Sequence, residues 1–305
     1  MRFTIYQESR QGGRANNEDR TTYCYSRDAL LMVVADGMGG HHYGEIAAQI
    51  AIQTLADMFQ REARPQLADP FRFLQKGMTN AHHAILDYTA RHRLKDTPRT
   101  TCVACVVQDN IAYWAHAGDS RLYLMRNGRA IAQTKDHSRI RLLVEEGMIS
   151  EAQAAIHPDR NKIYSCLGSP SAPEIEFSRK MPLEHGDVLL LCTDGLWGVL
   201  SNDQMSGALK GANLLQAVPM LLTLAETRGG AHGDNVSVVA VRWEESYVED
   251  ASSAVSTQTM AQDEVTTRLD EFGRNPAYKS DLSEDEIEKA IEEIRAAIDK
   301  YNPKK

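Results

Sequence analysis

The sequence has no long apolar run. None of its hydrophobic stretches approaches the roughly 20 residues that a membrane-spanning helix requires, and the first residues, MRFTIYQESRQGG, lack the apolar core of a secretory signal. We therefore expect a cytoplasmic protein with no membrane partner. Positive charge is not in excess either, because 34 Lys and Arg stand against 42 Asp and Glu. A nucleic-acid binder carries a basic surface, so we expect no nucleic-acid partner.

Cysteine is scarce and odd in number. Two of the five cysteines, Cys102 and Cys105, have the CxxC spacing of a zinc or redox site. No second CxxC accompanies this pair, as most zinc sites of this kind would require. Residues three apart on a strand point to opposite faces of the sheet. We therefore expect both residues to be buried, reduced cysteines.

Short apolar runs and helical stripes follow one another through the first 245 residues. The runs typical of strands cover 30–35, 111–117, 122–125, 188–192 and 236–241. Apolar residues recur at helical spacing over 45–60, 71–91 and 214–227. Asn127-Gly128 lies between two strand-like runs and predicts a hairpin turn. This order favours sheets covered by helices over a strict βαβ repeat.

The composition changes after Trp243. Residues 246–281 are rich in Ser, Thr, Gln and acidic residues and poor in apolar ones, which predicts a flexible polar linker. A capping box then begins at Ser283, and isoleucines follow it at helical spacing. We predict a C-terminal amphipathic helix within 282–305. It could dock on the chain's own core or on a partner.

Four aspartates stand beside glycine where apolar runs begin or end: Asp36, Asp119, Asp194 and Asp234. A carboxylate at the edge of a buried core is costly unless it is paired. Several carboxylates at one spot raise one another's pKa values unless cations lie between them. Hard oxygen ligands without Cys or His suit Mg²⁺ or Mn²⁺. A single Asp-Gly after a strand is usually only a turn, so the pattern alone does not decide whether the four converge.

Six motifs, taken in order, resemble those of the type-2C (PPM) metal-dependent serine/threonine protein phosphatases over residues 7–241. The motifs are RANNED from Arg14, VADGMGGH from Val34, AGDSR from Ala117, KDHS from Lys135, CTDGLW from Cys192 and GDNV from Gly233. The DGMGGH run is similar to the bacterial branch in particular. The resemblance implies an α+β fold with four layers, α-β-β-α, in which two packed, mainly antiparallel sheets are flanked by helices.

The resemblance also implies a set of metal-binding roles. Asp36 would bridge two ions, with the Gly37 carbonyl on one of them. The other ion would be bound by Asp194 and Asp234. Glu18 and Asp19 would hold metal-bound waters, and Asp119 would join Asp194 in a third site. The implied cofactors are two or three Mn²⁺ or Mg²⁺ ions, which use the same hard oxygen ligands.

Three further residues bear on catalysis. Arg14 would clamp the substrate phosphate, because a planar guanidinium matches two phosphate oxygens. Some relatives have a histidine directly after the metal-binding Asp-Gly, but here that position is Met38. His41 is then a candidate general acid, since imidazole titrates near neutral pH. A structural role for His41, or a metal-bound water as the acid, is the alternative.

The resemblance implies hydrolysis of phosphoserine and phosphothreonine in proteins by a metal-bridging hydroxide, opposing a bacterial serine/threonine kinase. Residues 1–245 would be the catalytic domain, with 139–170 as a flap that governs substrate choice. One alternative is a pseudophosphatase or scaffold that binds phosphoproteins without turnover. Asp36, Asp194 and Asp234 are all present, which argues against a degenerate site. In the other alternative the C-terminal helix recruits a partner, and this does not exclude catalysis.

Overall fold

A computed structural model of the chain describes residues 1–38, 43–150, 153–154, 157–159 and 162–244. The strands are, in chain order, β1 (Arg2–Arg10), β2 (Arg20–Tyr25), β3 (Ala29–Ala35), β4 (Cys102–Gln108), β5 (Ile111–Ala117), β6 (Arg121–Arg126), β7 (Arg129–Gln133), β8 (Glu176–Phe177), β9 (Met181–Pro182), β10 (Val188–Cys192) and β11 (Val236–Glu244). They form two sheets, with strand orders β1-β11-β10-β6-β7 and β2-β3-β4-β5-β8, and β9 also pairs with β5. Every pairing is antiparallel.

Four of the six α-helices of the described residues begin with a side-chain cap. The six helices are α1 (Gly44–Glu62), α2 (Pro70–His92), α3 (Arg139–Glu145), α4 (Asp194–Trp197), α5 (Asn202–Leu209) and α6 (Leu214–Gly229). Asp69 accepts a hydrogen bond from the Arg72 backbone N–H, and Pro70 occupies the first helical position of α2. Ser201 and Gln204 form a capping box at the start of α5. None of these helices is long and apolar enough to cross a bilayer.

Three hydrophobic clusters separate four layers. One lies between the second sheet and the pair α1 and α2, and another lies between the first sheet and the pair α5 and α6. The third fills the space between the two sheets. Leu31 and Val33 of β3 face the helices, whereas Leu30 and Met32 face the other sheet. The run is continuously apolar because both of its faces are buried. The predicted α-β-β-α sandwich is confirmed.

The elements predicted from apolar patterns are confirmed to within a few residues. Asn127 and Gly128 both have positive φ (53° and 77°), as a two-residue hairpin turn between β6 and β7 requires. Cys102 packs towards the helices and Cys105 between the sheets, and both are free and buried. Burial raises the pKa of Cys102 to about 12, so it stays a neutral thiol. The predicted linker and C-terminal helix lie outside the described residues.

The strand register brings several connections to one end of the sandwich. In the second sheet Arg20 of β2 pairs with Ala35 of β3, and Cys102 of β4 pairs with Ala117 of β5. In the first sheet Cys192, the last residue of β10, lies between Arg121 and Val238. Contacts from β3 to β10 and β11 bring the two sheet ends together. Side chains at the ends of β3, β5 and β10 and before β2 and β11 therefore meet.

Candidate metal centre

A cleft of about 310 Å³ opens where these strand ends meet. Seven of the residues predicted from the sequence line it: Arg14, Glu18, Asp36, Gly37, Asp119, Asp194 and Asp234. Asp19 is buried beside Thr193 and Ser237, close to the carboxylates of Asp194 and Asp234. The structure thus brings together every predicted site residue that it describes. His41 lies outside the described residues.

Asp36 is fixed at the end of β3 by its backbone. Its N–H donates to Thr101 Oγ1 at 3.1 Å, and its carbonyl accepts from the Thr101 N–H and the Thr100 hydroxyl, each at 2.9 Å. Thr101 Oγ1 is also 2.7 Å from Ser120 Oγ, beside Asp119. These hydrogen bonds couple the position of Asp36 to the start of β4 and to the loop between β5 and β6.

Thr193 holds two other parts of the site together. Its hydroxyl donates to Asp19 Oδ2 at 2.9 Å and accepts from the Ser237 N–H at 3.0 Å. It is also the N-cap residue of α4, whose first residue is Asp194. No sequence motif assigns a role to Thr193. Its one signal is a hydroxyl residue placed between an apolar strand and an aspartate.

Asn235 anchors the loop that carries Arg14 and Glu18. Its Oδ1 accepts from the Glu18 N–H at 2.9 Å, and its Nδ2 donates to the carbonyls of Gln11 and Asn16 at 2.8 and 2.9 Å. This side chain is buried and fully used, so it acts as a support for the cleft wall. Sequence reasoning did not single it out, although it follows Asp234 directly.

Gly195 is required by close packing. A Cβ atom there would lie 2.0 Å from the Asn235 carbonyl oxygen, so only glycine allows α4 to pack against the start of β11. Gly118 is required by its backbone conformation, since its φ of 109° is strained for any residue with a side chain. The glycines beside Asp194 and Asp119 therefore allow the chain to place those carboxylates.

Four buried aspartates of the site have raised pKa values. Burial, with added repulsion from Asp234, raises the pKa of Asp194 to about 6. Burial, together with repulsion from Asp194 and Asp234, raises the pKa of Asp19 to about 7. For Asp36 and Asp119 burial and then neighbouring carboxylates raise the pKa well above its usual range. This electrostatic cost is what bound cations would remove.

The donor set fits hard divalent ions. The cleft offers carboxylate oxygens, and its lining contains no His or Cys among the described residues. Asp19 Oδ1 is buried and has no hydrogen-bond partner. An orphaned acceptor of this kind suits a metal-bound water. Oxygen-only ligands favour Mg²⁺ or Mn²⁺ over Zn²⁺.

Two arginines neutralise part of this charge. Arg14 lies at the mouth of the cleft, with its side chain 55% exposed and Nη2 2.6 Å from Asp234 Oδ2. This ion pair raises the pKa of Arg14. Behind the cleft, Arg121 forms two hydrogen bonds to Asp136, at 2.8 and 2.7 Å, and lies 3.6 Å above the Trp197 ring. Arg121 thereby compensates Asp136, whose charge raises the pKa of Asp119.

The described part of the predicted flap borders the cleft. It begins with α3, and Ile163 further along forms part of the cleft wall. Ser138 and Ile163 are joined by an isolated β-bridge, and Thr100 and Leu167 by another. The segment is therefore attached to the sandwich at both ends. Its role in substrate choice stays a prediction.

The chain resembles known proteins over most of its length. The Protein phosphatase 2C family model matches residues 7–227. The serine/threonine phosphatase stp of Listeria monocytogenes serotype 4b is 31% identical over 231 residues, which are 75% of this chain and 90% of that protein. A structure of the S. agalactiae serine/threonine phosphatase superposes with a TM-score of 0.73 at 30% identity, covering 80% of this chain and 100% of that one. The catalytic domain of a serine threonine protein phosphatase PstP, in complex with two manganese ions, gives a TM-score of 0.66 at 31% identity, with coverages of 80% and 100%.

Proposed function

The chain belongs to the protein phosphatase 2C family, and we propose that it hydrolyses phosphoserine and phosphothreonine in proteins with the help of divalent metal ions. One observation supports this most strongly: six carboxyl groups converge on one cleft, and most of them have raised pKa values. Such a set is unfavourable without cations and is suited to holding them. The named relatives are serine/threonine phosphatases, and one was solved with manganese.

The proposed ligands for two or three Mn²⁺ or Mg²⁺ ions are those that the resemblance implies. Asp36 would be shared by two ions, one of them also held by the Gly37 carbonyl and the other by Asp194 and Asp234. Asp119 would share a further ion with Asp194. Glu18 and Asp19 would bind through waters, and the unpartnered Oδ1 of Asp19 supports this role. When bound, the ions would activate water as a nucleophile and neutralise charge on the phosphoryl oxygens.

Arg14 is proposed to hold the substrate phosphate. Its guanidinium is half-exposed at the mouth of the cleft, where a phosphoprotein would enter, and its partner there is one carboxylate. A guanidinium can bind two phosphate oxygens at once and thereby orients the phosphorus. Asn235 supports this role, because it ties the loop of Arg14 to the start of β11.

The remaining roles rest on the sequence. His41 is proposed to protonate the departing seryl or threonyl oxygen. Residues 1–245 are proposed as the catalytic domain, 246–281 as a linker and 282–305 as a docking helix. The substrates would be phosphorylated proteins, and the opposing enzyme a serine/threonine kinase. A cytoplasmic location stays a prediction.

The test is hydrolysis of a phosphothreonine peptide by the purified chain with Mn²⁺, with Mg²⁺ and with EDTA. We expect turnover with metal, none with EDTA, and none from Asp36→Asn. Asp87→Asn is the matched control. It removes the same negative charge as Asp36→Asn, but from the surface of α2, where the Asp87 side chain is 68% exposed. A folded chain that binds the phosphopeptide without turnover under any metal would favour the pseudophosphatase instead.

A further inference from the structure

Two buried histidines and a glutamate meet outside the aspartate centre. His116 lies near the end of β5, His137 follows β7, and Glu176 begins β8. One nitrogen of each ring and a carboxylate oxygen of Glu176 all lie within 4.8 Å of one another. His137 Nε2 is 3.7 Å from Glu176 Oε2. The histidines are only 2% and 1% exposed, whereas the Glu176 side chain is 45% exposed.

One ring nitrogen of His116 has a free lone pair. Its Nε2 lies 2.6 Å from the Lys135 carbonyl oxygen, which can only accept, so Nε2 carries the proton. Nδ1 is then unprotonated, and it is buried without a hydrogen-bond partner. Metal-ligating histidines are held in this way, with the distal N–H donating to a carbonyl or carboxylate. Nothing in its surroundings uses the lone pair of Nδ1 for another purpose.

His137 offers a second nitrogen. Its Nε2 is also buried without a hydrogen-bond partner. Its Nδ1 accepts from the Gly118 N–H at 3.4 Å, which is a long hydrogen bond. Metal binding through Nε2 would move the ring proton to Nδ1, so the Gly118 N–H would lose its acceptor and this long contact would have to open. Burial lowers the pKa of both histidines, so both are neutral near pH 7, as metal ligands must be.

We propose that His116, His137 and Glu176 bind one zinc-class transition-metal ion, at a site separate from the aspartate centre. Two imidazoles and one carboxylate, with water in the fourth position, are a common zinc ligand set. Imidazole nitrogen suits zinc, whereas Mg²⁺ and Mn²⁺ prefer oxygen ligands. Tetrahedral bonds of about 2.0–2.2 Å place ligand atoms roughly 3.4 Å apart. The 3.7 Å separation of His137 and Glu176 is already close to this value.

To close the site around an ion, the residue that must move most is Glu176, the exposed one of the three. Glu176 is at the surface, and its side chain can move inwards without displacing the core. The buried rings already lie close together, with centroids 4.6 Å apart and an interplanar angle of 36°. Closing the site therefore requires a rotation of one flexible carboxylate and small ring shifts.

Such an ion would stiffen the base of the predicted flap. The His137 carbonyl accepts from the Tyr164 N–H at 2.8 Å, and the Tyr164 ring stacks on His137 at 5.5 Å between centroids. The next residues along, Ser138 and Ile163, form the β-bridge that leads to the cleft wall. Fixing His137 to β5 and β8 would hold this end of the segment in place.

The test is titration calorimetry of Zn²⁺ into the full chain in saturating Mg²⁺, which occupies carboxylate sites and competes poorly for imidazole. We expect one zinc site in the native chain. The zinc affinity of Glu176→Gln should be at least about tenfold lower. The matched control is Asp87→Asn, which removes the same charge from an exposed carboxylate on α2, where the side chain is 68% exposed. Zinc affinity should be unchanged in this control and in Asp36→Asn.

Two results would overturn the proposal. If Glu176→Gln binds zinc as tightly as the native chain does, Glu176 is not a ligand. If Asp36→Asn abolishes zinc binding, the ion belongs to the aspartate centre. Co²⁺ provides an independent readout, because tetrahedral nitrogen-ligated Co²⁺ absorbs strongly in the visible region. We expect these bands in the native chain and their loss in a folded His116→Gln variant, whereas unchanged bands would again contradict the proposal.

Discussion

At the scale of single residues, the cleft depends on polar side chains that bind neither metal nor substrate. Thr193, Asn235 and Thr101 each connect two chain segments that carry proposed ligands. Each is buried and forms hydrogen bonds with the backbone or the carboxylates of the site. Their contribution is to fix where the carboxylates stand, which is what a multi-ligand metal site requires.

Thr193→Val tests whether the Thr193 hydroxyl holds the site in place. Valine keeps the shape of threonine but leaves the Ser237 N–H without its acceptor and removes one of the hydrogen-bond donors to Asp19. Leaving a buried group unsatisfied costs about 1–3 kcal/mol, so we expect the free energy of unfolding to fall by this amount in urea titrations. Mn²⁺ affinity should fall as well, because Asp19 is no longer oriented.

Thr193→Ser is the control, since serine keeps the hydroxyl and loses one methyl group. It should retain metal affinity close to that of the native chain. Equal metal affinities for the valine and serine variants would mean that the hydroxyl does not orient Asp19.

At the scale of elements, Gly195 decides how α4 meets β11. In Gly195→Ala the new methyl group would lie 2.0 Å from the Asn235 carbonyl oxygen, so the backbone must move. Overpacking of this kind costs about 1–3 kcal/mol. Because Asp194 and Asp234 sit on either side of this contact, we expect the variant to lose both stability and Mn²⁺-dependent turnover, as measured by urea unfolding and peptide hydrolysis.

Gly207→Ala is a matched control for the same substitution. Gly207 lies inside α5, and a Cβ atom there meets nothing within 4 Å. Alanine should stabilise this helix by about 0.5–1 kcal/mol and leave turnover unchanged. If Gly195→Ala behaved like Gly207→Ala, the close approach of α4 to β11 would not matter for the site.

The sequence predicted those elements whose burial makes a strong pattern. β3 and β10 are buried on both faces and read as continuous apolar runs, and α1 and α2 carry clear helical stripes. β1 and β2 were not predicted, because they lie at sheet edges and are mostly half-buried, with polar residues throughout. The short helix α4 has too few residues to show a period. Local patterning therefore finds most core elements and misses edges, although β4, which is buried along its whole length, was not among the predicted strands either.

The proposed ligands could be predicted from the sequence motifs, whereas the residues that hold those ligands in place could not. Asp36, Asp119, Asp194 and Asp234 are visible because a charged residue ends or begins an apolar run. Thr193 and Asn235 have no such signal, since their partners lie 174 and 217 residues away along the chain. Hydrogen bonds of that range exist only once the two sheets have packed, so single-sequence reasoning cannot assign them.

At the scale of the whole molecule, the sandwich is complete within the described residues. The last of the described strands, β11, ends at Glu244 and lies between β1 and β10 in the interior of the first sheet. We therefore expect a chain cut after Glu245 to fold and to keep its turnover number on a phosphothreonine peptide. The measurement compares thermal unfolding and steady-state kinetics of the cut and full chains. A large loss of stability would instead show that residues 246–305 belong to the fold.

The same carboxylates link metal binding to the stability of the entire chain. In EDTA, the raised pKa values mean that the folded chain binds more protons than the unfolded chain above the unfolded aspartate pKa of about 3.9. This excess persists up to the folded values of about 6 for Asp194 and about 7 for Asp19. The free energy of unfolding must therefore fall as the pH rises through this window.

Bound Mg²⁺ removes this dependence, because it stabilises the ionised carboxylates in the folded chain. The gain in melting temperature on adding saturating Mg²⁺ should thus be larger at pH 8 than at pH 5. Differential scanning calorimetry with Mg²⁺ and with EDTA at both pH values measures this gain. The Asp87→Asn variant should show the same gains as the native chain. An equal gain at the two pH values would mean that protons and metal do not compete for these carboxylates. Since at pH 5 protonation already relieves their repulsion, such a result would place the metal away from the cleft.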